Sequence, residues 1–214
     1  MYLYHFLPFE HAMHDLKNKY IKVAKVKDVN DPFDLSPFQT DDQNIKIHVD
    51  TMKKALHEMM GMLCFTNSWS DPVMWGHYAD KHKGICLGFE IMNTILEKVK
   101  YVKERLAKGS GSDCNLDEFK NLVFFIKSCG WKYENEWRCL IEFKDCKIDG
   151  SGNYFYPFGD HLTLKEIIVG ASSELSVDNV ANIINGELSN VIIRKARLST
   201  TKFEIEEKPP CKKI

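Results

Sequence analysis

Apolar runs in this chain are short, and turn residues close almost every one of them. Tyr2–Leu7 stops at Pro8, Met62–Thr66 at Asn67-Ser68, and Ile167-Ile168-Val169 at Gly170. Gly84–Glu90, Trp137–Phe143, Val191–Ile193 and Lys202–Ile205 are further strand-sized runs, and Ile21–Val26 alternates as a strand. Helical spacing appears between them. Phe9, Ala12, Met13 and Leu16 share a face within 9–20, as do Ile47, Met52, Leu56, Met59 and Met60 within 44–61. Pro72 suits the first position of a helix running to about His82. Further helices are predicted over 116–129 and 176–188. Strands and helices do not alternate regularly, so the prediction is an α+β fold: mixed, mostly antiparallel short-stranded sheets with flanking helices.

At 214 residues the chain is long enough for a full core. Neither a repeat nor a composition break is visible, which predicts one domain over 1–207 and a flexible basic tail over 208–214. Lys108–Asp113, rich in glycine and serine, is predicted to be a flexible loop tip. A net charge of −1 gives no global drive towards nucleic acid or membrane. Seven cysteines, an odd number with no C-x-x-C pair, read as reduced thiols rather than a disulfide framework. With no signal-peptide pattern and no membrane-length apolar run, the expected location is cytoplasmic, without membrane contact.

The stretch Tyr133-Glu134-Asn135-Glu136-Trp137-Arg138 carries the densest chemistry. Residues i and i+2 of a strand share a face, so Glu134 and Glu136 are expected side by side at a strand mouth. Such a pair needs a partner, a shifted pKa or a task. Read alone, it fits either a functional site or a solvated strand end with Arg138 as counter-charge. Trp75 and Tyr78, three apart on a helix beside the hydroxyl-rich loop Thr66-Asn67-Ser68, fit either core packing or stacking on a ring ligand. His77 and His82 are five apart, a poor spacing for two ligands on one helical face, and no metal site is predicted. Glu142-Phe143-Lys144 matches half of a nuclease E-x-K site. With Glu134, Glu136 and an upstream aspartate such as Asp31, it gives a metal-dependent nuclease as one alternative. A non-catalytic interaction module, with core aromatics and solvated carboxylates, is another.

Several blocks together resemble a large, mostly bacterial family of uncharacterised proteins. They are Leu3-Tyr4-His5-Phe6, Asn30-Asp31-Pro32-Phe33-Asp34, Cys64-Phe65, the W-x-x-Y-A-x-x-H-x-G run from Trp75 to Gly84, and the E-x-E-W-R run from Glu134 to Arg138. The order of elements is more distantly similar to the ADP-ribosyltransferase fold. That resemblance implies NAD as substrate, an NAD-dependent mono-ADP-ribosyltransferase activity, and a protein or nucleic-acid acceptor. It implies that His5 bonds the adenosine ribose and that Trp75 or Tyr78 stacks on the nicotinamide, near Ser68 of the loop and Arg138. Glu136 would bond the nicotinamide ribose and stabilise its developing cation, and Glu134 would orient or deprotonate the acceptor. A role as a defence or toxin effector, with an antitoxin or immunity partner, is implied by the same resemblance. The Gly-Thr or Gly-Ser usual after the first histidine is replaced here by Phe6-Leu7-Pro8.

Overall fold

A computed structural model describes the chain except residues 26–27, 40, 93–95, 108–113, 185–187, 189 and 210–214. The predicted loop tip at 108–113 and most of the predicted tail therefore lie outside the described residues. In chain order the first elements are β1 (Tyr2–Leu7), α1 (Phe9–Asn18), β2 (Tyr20–Val23), α2 (Gln43–Met59), β3 (Met60–Thr66) and α3 (Pro72–Tyr78). Next come β4 (Ile85–Ile91), β5 (Leu96–Lys98), β6 (Lys100–Val102), α4 (Leu116–Phe125), β7 (Ile126–Ser128) and β8 (Glu136–Glu142). The chain continues through β9 (Lys147–Ile148), β10 (Tyr154–Pro157), β11 (Leu162–Val169), α5 (Val177–Ile183), β12 (Ile192–Leu198) and β13 (Ile205–Glu207). The fold is α+β with mixed, mostly antiparallel sheets. β1 pairs antiparallel with β3 and β4, as do β4 with β11, β5 with β8, β9 with β10 and β12 with β13, while β11 runs parallel to β12 and β6 to β7.

The chain divides into two compact units, each made of separated stretches: Met1–Ile21, Phe65–Asn93 and Pro157–Ile214 in the first, and Lys22–Cys64 and Thr94–Tyr156 in the second. In the first unit, β4 lies between β1 and β11, and β12 and β13 follow on the far side of β11. Tyr2 to Leu7 pair with Glu90 to Ile85 in reverse, and a bulge between Leu164 and Glu166 interrupts the β4–β11 ladder. These strands supply a dry core of Leu3, Ile85, Leu87, Phe89, Ile167, Ile168 and Val169. β4 is apolar and buried over most of its length, whereas β11 alternates over its first half and is continuously apolar only at Ile167, Ile168 and Val169.

In the second unit, α2 and α4 enclose a core of Leu35, Phe38, Val49, Leu56, Met60, Met62, Phe119, Val123, Phe124 and Phe125. Phe38 stacks on Phe119 with ring centroids 5.4 Å apart. Both helices start on side-chain caps. Asp42 accepts from the backbone N–H of Asn44 and Ile45, and Asn115 with Glu118 forms a reciprocal capping box. The helix predicted over 116–129 ends at Phe125, because Ile126-Lys127-Ser128 leaves as β7 to pair in parallel with β6. Its aromatic and β-branched lead-in favours extended backbone. That early exit decides where Lys127 sits.

Candidate functional site

An ionic cluster closes inside the second unit around Lys127 and Arg138. Residues 129–134 form a short 3-10 turn, Asn135 takes a left-handed conformation (φ 44°), and β8 begins at Glu136. Glu134 is thus not on the strand, and the expected i, i+2 pair on one strand face does not form. Nor are the two carboxylates a solvated strand end: Glu134 is 3% and Glu136 5% exposed. The left-handed residue turns both side chains onto one ammonium, and Lys127 Nζ donates to Glu134 at 2.5 Å and Glu136 at 3.1 Å. Asparagine tolerates that backbone better than most residues.

Arg138, 1% exposed, completes the cluster. Its Nε and Nη2 grip the Glu136 carboxylate at 2.7 and 2.9 Å. Its Nη1 and Nη2 reach Asp34 at 3.1 and 2.7 Å, and Nη1 also donates to the Phe124 carbonyl at 2.7 Å. Such two-pronged charge-assisted contacts are the geometry in which guanidinium outperforms ammonium. Lys127 lies 3.5 Å from Asp34 and 5.1 Å from the Trp131 ring centroid. The Tyr101 hydroxyl accepts from the Glu136 backbone N–H at 2.8 Å. Asp34 is held by strain as well as charge. Leu35, fully buried, sits at φ 58°, a left-handed value unusual for a bulky side chain, and its N–H donates to Asp34 at 2.9 Å.

Burial alone would push the Glu136 carboxyl up. The Arg138 charge and hydrogen bonds, with Lys127, outweigh it and hold the group at about 2. Lys127 resolves the same contest in its own favour: burial lowers its pKa, and Glu136, Glu134 and Asp34 together raise it further. Burial, joined by the Glu136 charge, drives the Cys64 thiol well above its ordinary value. Three carboxylates thus face two cations in a dry setting.

The remaining candidates lie in the first unit. Trp75 is completely buried, packed edge-to-face on Phe6 with centroids 5.1 Å apart, and its indole donates to the Trp69 carbonyl at 2.6 Å. No face of that ring is open for stacking, while Tyr78 is half-buried. His5 packs against Phe65 at 5.7 Å, one residue from the Tyr4–Thr66 register point. Ser68 Oγ bonds Ser70 Oγ at 2.8 Å and accepts from the Ser70 N–H, shaping the loop ahead of the Asp71 cap of α3.

The helix expected to reach His82 stops at Tyr78. Asp80, Lys81 and His82 then turn left-handed in succession (φ 43°, 52° and 69°), and the His82 N–H folds back to the Trp75 carbonyl at 3.2 Å. Gly84 is needed there, since a Cβ would meet the Leu7 carbonyl oxygen at 2.2 Å. Glu142 and Lys144 of the nuclease alternative form an ion pair with each other at 2.6 Å, mostly exposed. Lys144 lies in a 3-10 turn, not on the strand.

Sequence reasoning missed Lys127, hidden in an expected helix, and Asp34, which entered only as the last residue of the Asn30–Asp34 block. A lysine directly after the apolar run Val123–Ile126, within the expected helix, was the available signal for the first. Comparison with known families fits the same stretch. Residues 74–139 match the model of a protein of unknown function, DUF2971. The DUF2971 match opens inside α3 and closes in β8. It contains Tyr78, the left-handed turn, Lys127, both glutamates and Arg138, so this segment is similar to an uncharacterised domain family. His5, Asp34 and Ser68 fall outside the DUF2971 match. No curated protein and no solved structure matches the chain. Among the described residues, no helix is long and apolar enough to cross a membrane.

Proposed function

We propose that the chain is a mono-ADP-ribosyltransferase that consumes NAD and modifies a protein or nucleic-acid acceptor, with Glu136 as the carboxylate facing the cationic sugar. The observation that carries this reading is the state of Glu136: buried, oriented by Arg138, and ionised throughout the neutral range. Loss of nicotinamide leaves an oxocarbenium-like ribose, and a fixed anion in a water-poor site stabilises such charge far better than water does. A carboxyl group held at about 2 is a poor proton acceptor at neutral pH. The reading therefore gives Glu136 an electrostatic role and leaves deprotonation of the acceptor to Glu134. The test is incubation with labelled NAD and lysate. Release of nicotinamide that survives EDTA and disappears in Glu136→Gln, with an unchanged circular dichroism spectrum, supports the reading. Absence of release and of incorporated label refutes it.

A second reading has its own observation. Both oxygens of Glu136 are already occupied by Arg138 and Lys127, which suits a structural brace in a non-catalytic interaction module. Under that reading Glu136→Gln lowers stability and alters no NAD chemistry.

A further inference from the structure

A second group of charged side chains in the second unit belongs to no acidic network. Lys53 Nζ donates to the Ser36 hydroxyl at 3.2 Å, while Arg105 Nε and Nη2 donate to the Ser36 carbonyl at 3.1 and 2.8 Å. Two cations therefore flank one residue. The segments that carry them are fixed to each other. The Leu106 N–H donates to the Pro37 carbonyl at 2.7 Å, the Gln39 N–H to Leu106 at 2.9 Å, and the Gln39 side chain to the Arg105 carbonyl at 2.9 Å. His57 lies one helical turn beyond Lys53 on α2, on the same face. Its Nε2 is shielded from solvent and has no hydrogen-bond partner among the described residues. Phe33 projects beside the group, 62% exposed, with the Arg105 guanidinium 5.8 Å from its ring centroid.

Burial and then the Arg105 charge lower the Lys53 pKa, with Asp50 opposing, and burial and then Lys53 push His57 down to about 4. Among the described residues, neither Lys53 nor Arg105 forms a salt bridge. Two cations on one residue, neither held in a salt bridge among the described residues, beside a shielded imidazole nitrogen with no partner, are what an anion would relieve. Arg105 retains Nη1, Lys53 retains ammonium protons, and Ser36 offers a hydroxyl: a planar fork, a point charge and a neutral donor, the mixture that phosphate oxygens accept. We infer that Lys53, His57, Arg105 and the Ser36 hydroxyl form a binding site for a phosphate group carried by a small molecule. The exposed Phe33 ring gives a nucleotide base a face to stack on. This site involves neither Glu136 nor the NAD reading, and it stands or falls separately.

The test titrates the full chain with inorganic phosphate and with ADP by calorimetry, at constant ionic strength in chloride, while NMR follows the His57 ring. Saturable binding is expected, and bound phosphate should raise the His57 pKa by about 1 to 3 by favouring its protonated form. Lys53→Met and Arg105→Met should each weaken binding at least roughly tenfold, and Lys53→Arg should restore most of it. Tighter binding of ADP than of phosphate, lost in Phe33→Ala, assigns the site to nucleotides; equal affinities assign it to the phosphate group alone. The inference is overturned by absence of saturable binding, by a His57 ring indifferent to phosphate, or by undiminished affinity in a folded Lys53→Met.

Discussion

Arg138→Met swaps the guanidinium at the centre of the ionic cluster for an apolar chain of comparable length. Five hydrogen bonds disappear, four of them to the carboxylates of Asp34 and Glu136 and one to the Phe124 carbonyl. Two buried carboxylates are then left with Lys127 as their nearby cation. Removing one partner from a buried pair typically costs about 3–5 kcal/mol, because an uncompensated charge remains in a dry setting. For a chain of this size each kcal/mol moves the midpoint by roughly 2–4 °C, so Tm should fall by about 6–20 °C. Urea unfolding followed by circular dichroism measures the loss directly. A companion triple variant, Arg138→Met with Glu136→Gln and Asp34→Asn, removes the stranded charges and should recover at least half of it. A loss below about 1 kcal/mol, the scale of an exposed ion pair, would refute the account of this cluster as buried and mutually dependent.

Acid should act on the same cluster. The folded pKa of Glu136, about 2, lies below its ordinary 4.5. Its contribution is therefore complete above about pH 4.5 and is lost as pH falls towards 2. Urea midpoints measured between pH 6 and 2.5 should drop more steeply in the native chain than in Glu136→Gln, and parallel slopes would count against the assignment. Two alanine substitutions should diverge in sign. Gly84→Ala drives a Cβ into the Leu7 and Ala79 backbone and should cost about 1–3 kcal/mol, whereas Gly76→Ala enters open space on α3 and should gain about 0.5–1 kcal/mol, both read from unfolding curves. Thiol labelling should rank the cysteines. Exposed Cys129 should react at once, while Cys86 and Cys139, buried and with pKa pushed up by that burial, should react only on unfolding.

The α+β class was legible because most elements carry their own signal: β4 and β11 as apolar runs, α2 as a helical spacing behind the Asp42 cap. Element ends were less so. Two of the misplaced helix ends, at Phe125 and Tyr78, fall where tertiary pairing or a left-handed turn overrides a sequence that could continue as helix. The two glutamates stood out as a pair, but their geometry did not. One αL residue, Asn135, replaces the strand alternation that the spacing suggested and redirects both onto Lys127. Asp34 reaches Arg138 across 104 positions of sequence, a link that no local pattern encodes. Nor does composition mark the division into two units, since each is stitched from separated stretches of the chain.

That stitching has a consequence for synthesis on the ribosome. Every stretch of the second unit is made by Tyr156, while the first unit still awaits Pro157–Ile214. During translation of that last portion, β4 can pair with β1 but not yet with β11. The free edge of β4, Ile85-Cys86-Leu87-Gly88-Phe89-Glu90-Ile91, is almost entirely apolar, the kind of edge that recruits foreign strands. Nascent chains arrested before Leu162 should consequently be captured by aggregates or holding chaperones, and chains extended past Val169 should escape them.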